Sequence, residues 1–512
     1  MAFLTVNSLI FTSFFNNEDS SEKIFIRFSL WEGLALLLFG LFCLYAFCRF
    51  KKNYQTIKIE IVLVIYTLIA GFAWLYISKA GLNGEGANIA IGASILFKGD
   101  YFPLAIDQYY GTFPFQLGYS LFCELVYLIF GNENFGAIMG LNVVFAACIQ
   151  FLMIKIGKKT EVFAIGALNE KSVYLLAVLL FLFTPLIVGV TFTYGIIPGT
   201  AFSLLAVLMA IQFGQTGKIR YAAAAVLAMT AAVILKNNFL IIAIAVFIYL
   251  FVYAFKSKKT AAFICLPIFL ISVFYAPTAV IKFYEWRAGG KYDLSQTTPK
   301  SAWIAMGLSD TVTNQPGWFN GYTYFARREV GYDTAAADNN AKKLIAERLN
   351  VLMRYPMYLA DFMYRKASCQ WNEPSYSTFL LNYEAAKQKD RTAFGRAIYQ
   401  AGIVNTVIAV QQKWVQILTY AGVLLFLLTG IRKRNLAQLM PVMIMLGGFV
   451  FHQVWEAKSQ YIFQYGLIGL ISAAPGLVLA GEKMKSLFNR ALPDGRQVPQ
   501  TPQKTGFSEA VQ

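Results

Sequence analysis

Charged side chains are scarce in this chain, and the few that interrupt apolar runs are the ones whose types and spacing could do chemistry. The stretch Gly81-Leu-Asn-Gly-Glu85-Gly-Ala-Asn88 sets a carboxylate just past an apolar run that ends near Ala80. Ile89–Phe97 follows, apolar with small residues between, and reads as a short helix lying along a membrane surface. Glu85, just before that helix, can approach a reactant at headgroup level and take a proton from it as a general base. The helix dipole alone also favours an acid at this position, and spacing does not separate the two readings. Asp100, in Lys98-Gly-Asp-Tyr101, reads first as a turn residue and second as an alternative base. Among cations, Lys236 in Leu235-Lys236-Asn237 and the pair Arg327-Arg328 are candidates for holding a phosphate, because a cation at bilayer depth needs a partner. Lys236 equally marks the turn between two apolar runs.

Two later clusters combine rings with amides and a carboxylate: Gln315-Pro-Gly-Trp318-Phe-Asn320-Gly-Tyr322 and Cys369-Gln370-Trp371-Asn372-Glu373-Pro374. Rings stack on the apolar faces of sugars while amides bond their hydroxyls. Trp318, Asn320, Gln370, Trp371, Asn372 and Glu373 are therefore candidate substrate-binding residues. An aromatic belt at a membrane interface would use the same tryptophans. Ala341–Lys366 reads as one amphipathic helix with Leu344, Ile345, Leu349, Leu352 and Tyr355 on a face and Lys342, Lys343, Arg348, Arg354, Arg365 and Lys366 as its cations. It suits anionic lipid headgroups or simple packing. His452 is the chain's one histidine and reads as a packing residue. With six scattered cysteines and no C-x-x-C pair, the sequence offers no metal-ligating set, histidine triad or disulfide framework. It has no GxxxxGK[ST] phosphate loop and no βαβ pattern.

The elements that position these residues are membrane helices. Of 512 residues, 57% are hydrophobic and 14% charged, against about 45–50% and about 25% in soluble domains. Apolar runs fall near 30–48, 59–79, 114–130, 135–156, 173–191, 194–213, 220–235, 238–255, 260–282, 414–431, 437–454 and 460–481, many near the ~20 residues that span a bilayer. The fold class expected is an all-α polytopic membrane protein. A β-barrel would show ten-residue alternation instead. Ala2–Phe15 lacks a basic n-region and reads as a marginal first span or an interfacial helix, not a signal peptide.

The net charge of +17 sits largely in short loops, where orientation and contact with anionic membrane lipids explain it; nucleic acid is not an expected partner. Arg49, Lys51, Lys52 and Lys58 place the loop before the second span in the cytoplasm, as do Lys256, Lys258 and Lys259 for the loop before 260–282. Arg432, Lys433 and Arg434, then Lys483, Lys485 and Arg490, anchor the last spans. The long polar segments 81–113 and 283–413 then share the external side. This gives N-terminal helices over 1–58, a membrane module over 59–282, a large external loop over 283–413, C-terminal helices over 414–481, and a disordered cytoplasmic tail over 482–512. One inconsistency remains. An odd number of crossings must connect the first loop to Lys256, yet six runs lie between. The 114–130 run, short and carrying Glu124, is the first candidate for a segment that does not cross; 220–235 is the second.

The order of these motifs resembles the bacterial multi-spanning glycosyltransferases of the GT-C superfamily, relatives of protein O-mannosyltransferases and the lipid A aminoarabinose transferase. The residues that carry the resemblance are Glu85, Ile89–Phe97, Gly99-Asp100-Tyr101, Phe113-Pro114-Phe-Gln116-Leu-Gly118, Thr193-Tyr194-Gly195, Leu235-Lys236-Asn237, Trp303-Ile-Ala-Met-Gly307, Pro316-Gly-Trp318-Phe-Asn320 and Gln370-Trp-Asn-Glu-Pro374. These relatives commonly carry aspartate, often as Asp-Gln, where this chain has Glu85-Gly86. The resemblance implies a GT-C-like bundle of about 11–13 spans with two external loops forming the active-site face. It implies a polyprenyl-phosphate-linked sugar as donor and inverting transfer to a cell-envelope polymer, glycolipid or protein acceptor at the outer face of a bacterial cytoplasmic membrane. A divalent metal is left open, as are a donor synthase and a flippase as partners. A Wzy-like polysaccharide polymerase or ligase is the rival enzyme, and a lipid-linked glycan transporter the rival non-enzyme.

Overall fold

The computed structural model describes residues 1–15, 23–49, 58–163, 166–310, 314–380, 392–399, 402–430 and 434–491. The chain opens with α1 (Ala2–Ile10), a hairpin of β1 (Phe11–Phe15) and β2 (Ile24–Phe28), then α2 (Leu30–Arg49) and α3 (Ile59–Ser78). A polar segment holds α4 (Gly84–Phe97) and α5 (Tyr109–Thr112), and α6 (Leu117–Phe130) follows. Next come α7 (Phe135–Lys159), α8 (Gly166–Phe181), α9 (Pro185–Val188), α10 (Ile196–Thr216), α11 (Ile219–Leu235), α12 (Leu240–Ser257) and α13 (Thr260–Arg287). The second polar segment carries α14 (Lys300–Gly307), α15 (Tyr322–Arg328), α16 (Thr334–Arg354), α17 (Pro356–Trp371) and α18 (Ala393–Tyr399). The chain closes with α19 (Ile403–Leu428), α20 (Leu436–Val454) and α21 (Phe463–Ala491).

This is an all-α polytopic membrane protein. Among the described residues eight helices are long and apolar enough to cross a membrane, or up to ten if two bent pairs count as spans. α11 is apolar but shorter, and Gln411, Gln412, Lys413 and Gln416 dilute the apolar character of α19. Helix pairs meet through small residues, as bilayer packing favours. A Cβ on Gly476 of α21 would lie 2.0 Å from the Gly422 carbonyl oxygen of α19, so only glycine permits that crossing.

Ion pairs mark the two ends of the bundle. Glu60, opening α3, takes Lys155 at 3.1 Å and Lys158 at 2.8 Å from the end of α7. Lys171, Lys218, Arg220, Lys256, Lys258 and Lys259 lie in the turns and helix ends that this basic end collects. At the opposite end, Lys98 after α4 meets Glu133 before α7 at 2.6 Å. α6 both begins and ends there. Gly118 lies against Ile234 at the end of α11, close enough that a Cβ would fall 1.8 Å from the Ile234 oxygen, while the turn after α6 holds Glu133. The backbone bends by 101° between Phe102–Thr112 and Pro114–Phe130, at a proline that lacks the N–H needed to continue a helix.

α6 thus lies along one end of the bundle, and the crossing inconsistency is removed: α7, α8 with α9, α10, α11 and α12 connect the first polar segment to Lys256. Glu124 of α6 is no obstacle to burial, since Tyr284 Oη donates to it at 2.6 Å and Arg287 pairs with it.

Several expectations are corrected. Ala2–Phe15 is no span: after α1 the chain turns into a two-stranded antiparallel hairpin, Phe11 opposite Phe28 through Phe15 opposite Ile24. The hairpin docks on the second polar segment through Ser13 N–H to the Asn372 carbonyl (3.1 Å) and Ser13 Oγ to the Ser368 carbonyl (2.8 Å). Ala341–Lys366 is two helices, broken where Pro356 follows Tyr355. The helix after Glu85 packs one face inward, with Ile89, Ala90, Ala93 and Leu96 fully buried, and leaves Asn88 and Ile91 exposed on the other. α21 runs on to Ala491, so helix replaces disorder over 482–491. The tail after it, with Lys51, Lys52, Arg432 and Lys433, falls outside the described residues.

In a cysteine-free background, Asp100→Cys and Glu133→Cys are expected to react with a membrane-impermeant maleimide from the same side of sealed proteoliposomes, and Lys258→Cys from the other. Labelling of positions 100 and 133 from opposite sides would mean that α6 crosses.

Candidate functional site

Glu85 lies in the first turn of α4, after Asn83 as N-cap. It sits inside the helix rather than just before it, where the positive end of the dipole favours its charge. The helix beneath it is fixed by tyrosines: Tyr110 Oη donates to the Ile89 carbonyl at 2.9 Å, and Tyr127 Oη to the Ala90 carbonyl at 2.8 Å. Thr193 Oγ1 reaches the Gly86 carbonyl at 3.1 Å, which brings the turn before α10 against the Glu85 backbone. Glu85 is half-buried, so its carboxylate is held and still reachable.

Lys236 arrives at the same place from α11. That helix ends at Leu235, Lys236 is extended, and its side chain is buried. Its Nζ sits 3.4 Å from the Tyr194 ring centroid and 5.4 Å from that of Tyr461, an aromatic seat for an ammonium. Burial pushes its pKa down to about 7, while the charges of Glu85 and Glu456 pull it back up. Gln116 Nε2 donates to Tyr194 Oη at 3.1 Å and Tyr461 Oη to Glu456 Oε2 at 3.4 Å. A buried cation thus faces two carboxylates from remote parts of the chain. Burial, with Glu85 adding to it, keeps the Tyr109 and Tyr194 phenols protonated by raising their pKa. The Tyr109 hydroxyl is buried with no hydrogen-bond partner among the described residues.

Rings wall one side of this cluster. Phe113 meets Tyr324 at 4.7 Å and Trp303 at 5.8 Å, and Trp303 stacks on Trp455 at 5.9 Å with planes 4° apart. A carboxylate base, a seated cation, phenol donors and stacking faces are together able to orient a polar ring beside a phosphate and remove a proton. Among the described residues no three metal-ligating side chains gather.

The remaining candidates from the sequence lie elsewhere. Asp100 is exposed and its Oδ1 accepts from Phe102 N–H at 2.9 Å, a turn role. Arg328 is exposed. Arg327 is buried, but its guanidinium holds the Gly111 carbonyl at 3.1 Å and the Tyr332 carbonyl at 3.2 Å. Asn320 is exposed and closes its own turn onto Tyr322 N–H at 3.0 Å. Trp318 is buried against Phe15 of the hairpin. Trp371 packs on Phe449 and Tyr465, and Asn372 is fully buried behind it.

Gln370 and Glu373 act on the cluster from behind. Gln370 Nε2 donates to the Lys458 carbonyl at 3.2 Å. Glu373 accepts from Ser375 N–H (2.8 Å), Ser377 N–H (2.6 Å) and Ser459 Oγ (2.7 Å). They hold the stretch Trp455-Glu-Ala-Lys-Ser459, which the sequence reading passed over. Ala457 N–H also bonds the Gly317 carbonyl at 2.8 Å. His452 is the packing residue expected, buried and stacked on Tyr461 at 6.1 Å. Glu456, Tyr194, Tyr461, Tyr109, Tyr324 and Trp303 are the cluster members not singled out as site residues. The one signal for Glu456 was a Trp-Glu-Ala-Lys string at the tip of a membrane-length apolar run.

No family model matches this chain, and no curated protein matches it. Among solved structures it is similar to the archaeal oligosaccharyltransferase AglB from Archaeoglobus fulgidus, determined in complex with an inhibitory peptide and a dolichol-phosphate. The TM-score is 0.42 and the identity 10%, over 86% of this chain and 52% of that one, so the chain spans about half the length of that protein. A likeness of that size carries no argument about activity.

Two variants test the supporting layer. Glu373→Ala leaves two backbone N–H groups and the Ser375 and Ser459 hydroxyls without this acceptor, and unfolding in detergent should show a loss of about 3 kcal/mol or more, against a change within about 0.5 kcal/mol for Asp100→Ala. Lys366 Nζ is buried on the Gly307 carbonyl, and burial pushes its pKa down to about 7, while the unfolded value is about 10.4. Between those values the unfolded chain binds a proton that the native one does not, so stability rises with pH. The melting temperature is expected to climb from pH 7 to pH 9, and Lys366→Met to flatten that climb; an equal climb in both proteins would contradict this role.

Proposed function

We propose that the chain is a membrane glycosyltransferase that moves a sugar from a polyprenyl-phosphate donor to an acceptor hydroxyl, with inversion. The observation that carries the reading is the juxtaposition of Glu85 with Lys236 around Tyr194, at the end of the bundle opposite the lysine-rich turns. Because basic turns face the cytoplasm, the site faces outward, where no cytosolic nucleotide is at hand and a lipid-linked donor supplies the energy. Glu85 takes the acceptor proton as the acceptor oxygen bonds the anomeric carbon. The bond from that carbon to the phosphate oxygen breaks, and the polyprenyl phosphate leaves. Lys236 balances the charge that develops on the leaving phosphate. The rings of Trp303, Trp455 and Tyr324 take the apolar face of the sugar. Arg327 and Arg328 have no direct part, since one is committed to backbone carbonyls and the other is exposed on α15. Trp318, Gln370, Trp371, Asn372 and Glu373 serve by positioning the wall and the Glu456 stretch.

Purified protein in nanodiscs, given a panel of polyprenyl-phosphate sugars and a cell-envelope acceptor extract, is expected to release free polyprenyl phosphate. Glu85→Gln should lower the rate by about 10²-fold or more with folding unchanged. Lys236→Met should also lower it, whereas Asp100→Asn should not. Wild-type turnover by Glu85→Gln would remove Glu85 as the base, and release by none of the proteins from any donor would defeat the transferase reading.

A further inference from the structure

The end of the bundle away from Glu85 holds a second arrangement that glycosyl transfer does not use. A cavity of about 550 Å³ opens between α7 and α10, lined by Lys155, Lys158, Lys159, Glu161, Gln212 and Gln215, with Phe151 and Leu208 as its apolar wall. Glu60, nearly buried, bonds both Lys155 and Lys158 and so fixes two ammonium groups while neutralising one. Lys159 has no ion-pair partner among the described residues, and its backbone carbonyl is pinned by Gln215 Nε2 at 3.2 Å. Counting Glu161, three lysines face two carboxylates, which leaves one positive charge unmatched. The C-terminal ends of α7 and α10 also point here and disfavour an anion, so the lysines must outweigh them. Lysines that served only those helix ends would need neither a cavity nor an apolar wall. Phe151 is 37% exposed on that wall, with Lys155 Nζ 5.0 Å from its ring.

We propose that this cavity is a binding site for a phosphate-bearing anion, its phosphate set among Lys155, Lys158 and Lys159 and its less polar part against Phe151. A phospholipid headgroup and a soluble glycerol phosphate share this chemistry. The charges are partly exposed, so binding weakens as salt rises.

The full chain in detergent is titrated by calorimetry with dihexanoylphosphatidylglycerol, dihexanoylphosphatidylcholine and glycerol 1-phosphate. The phosphatidylglycerol is expected to bind saturably and more tightly than the phosphatidylcholine. Lys159→Glu should weaken it about tenfold, and Gln212→Leu less, with the unliganded melting temperature of each variant checked against wild type. Glycerol 1-phosphate binding as tightly as the lipid supports the site and assigns it a soluble ligand; binding of the lipid alone supports it and assigns a headgroup. Equal affinity for the two lipids, no saturable binding of any probe, or affinities unchanged in both variants would overturn the proposal.

Discussion

A buried lysine seated on aromatic rings is the constraint around which one end of this protein is organised. Taking the Lys236 charge out of water is costly unless other charges and dipoles replace the solvent. The replacements come from far along the chain: Glu85 from α4, Tyr194 from the turn before α10, and Glu456 and Tyr461 from the connection between α20 and α21. Each must be held in place for the others to be tolerated. The first polar segment, the break before α10 and the last connection therefore form one structural unit, although the sequence separates them widely.

Irregular backbone is the second requirement of that unit. Carboxylates and phenols cannot be delivered to a point by straight helices alone. The chain bends by 101° before α6 and by 48° between α8 and α9, each time beside a proline. Such breaks free polar backbone groups that lipid cannot satisfy. Here protein satisfies them: Asn142 Nδ2 takes the Val190 carbonyl at 2.9 Å, and Gln411 reaches the Leu182 carbonyl. The same asparagines and glutamines look like helix interruptions when only hydropathy is considered.

The second polar segment serves as a brace. Its Gln370 and Glu373 secure the Glu456 stretch, Lys366 ties α17 to the Gly307 carbonyl, and the N-terminal hairpin closes over Trp318 and Asn372. Aromatic residues beside amides are what a sugar site needs, and they are equally what a tight polar-aromatic core needs. In this segment Trp318 and Trp371 belong to the core, while Trp303 stands at the cluster of charges.

What the sequence by itself determined is what depends on local composition. Runs of apolar residues at bilayer length are helices in any context, because lipid leaves the backbone no other partner, and the lysine-rich turns identify one end of the bundle. Glu85 and Lys236 stood out for the same reason, since a charge among apolar residues is conspicuous one residue at a time. Only the tertiary structure decided which charges meet. Glu456 looks like any loop acid until α20 and α21 carry it to Lys236, and Glu373 has the composition of a binding residue but spends its oxygens on Ser375, Ser377 and Ser459. Whether α6 crosses was likewise undecidable from hydropathy, because a segment buried in protein is as apolar as one buried in lipid. Its fate rests on Gly118 meeting the end of α11 and on Glu124 meeting Arg287, contacts between residues remote in sequence.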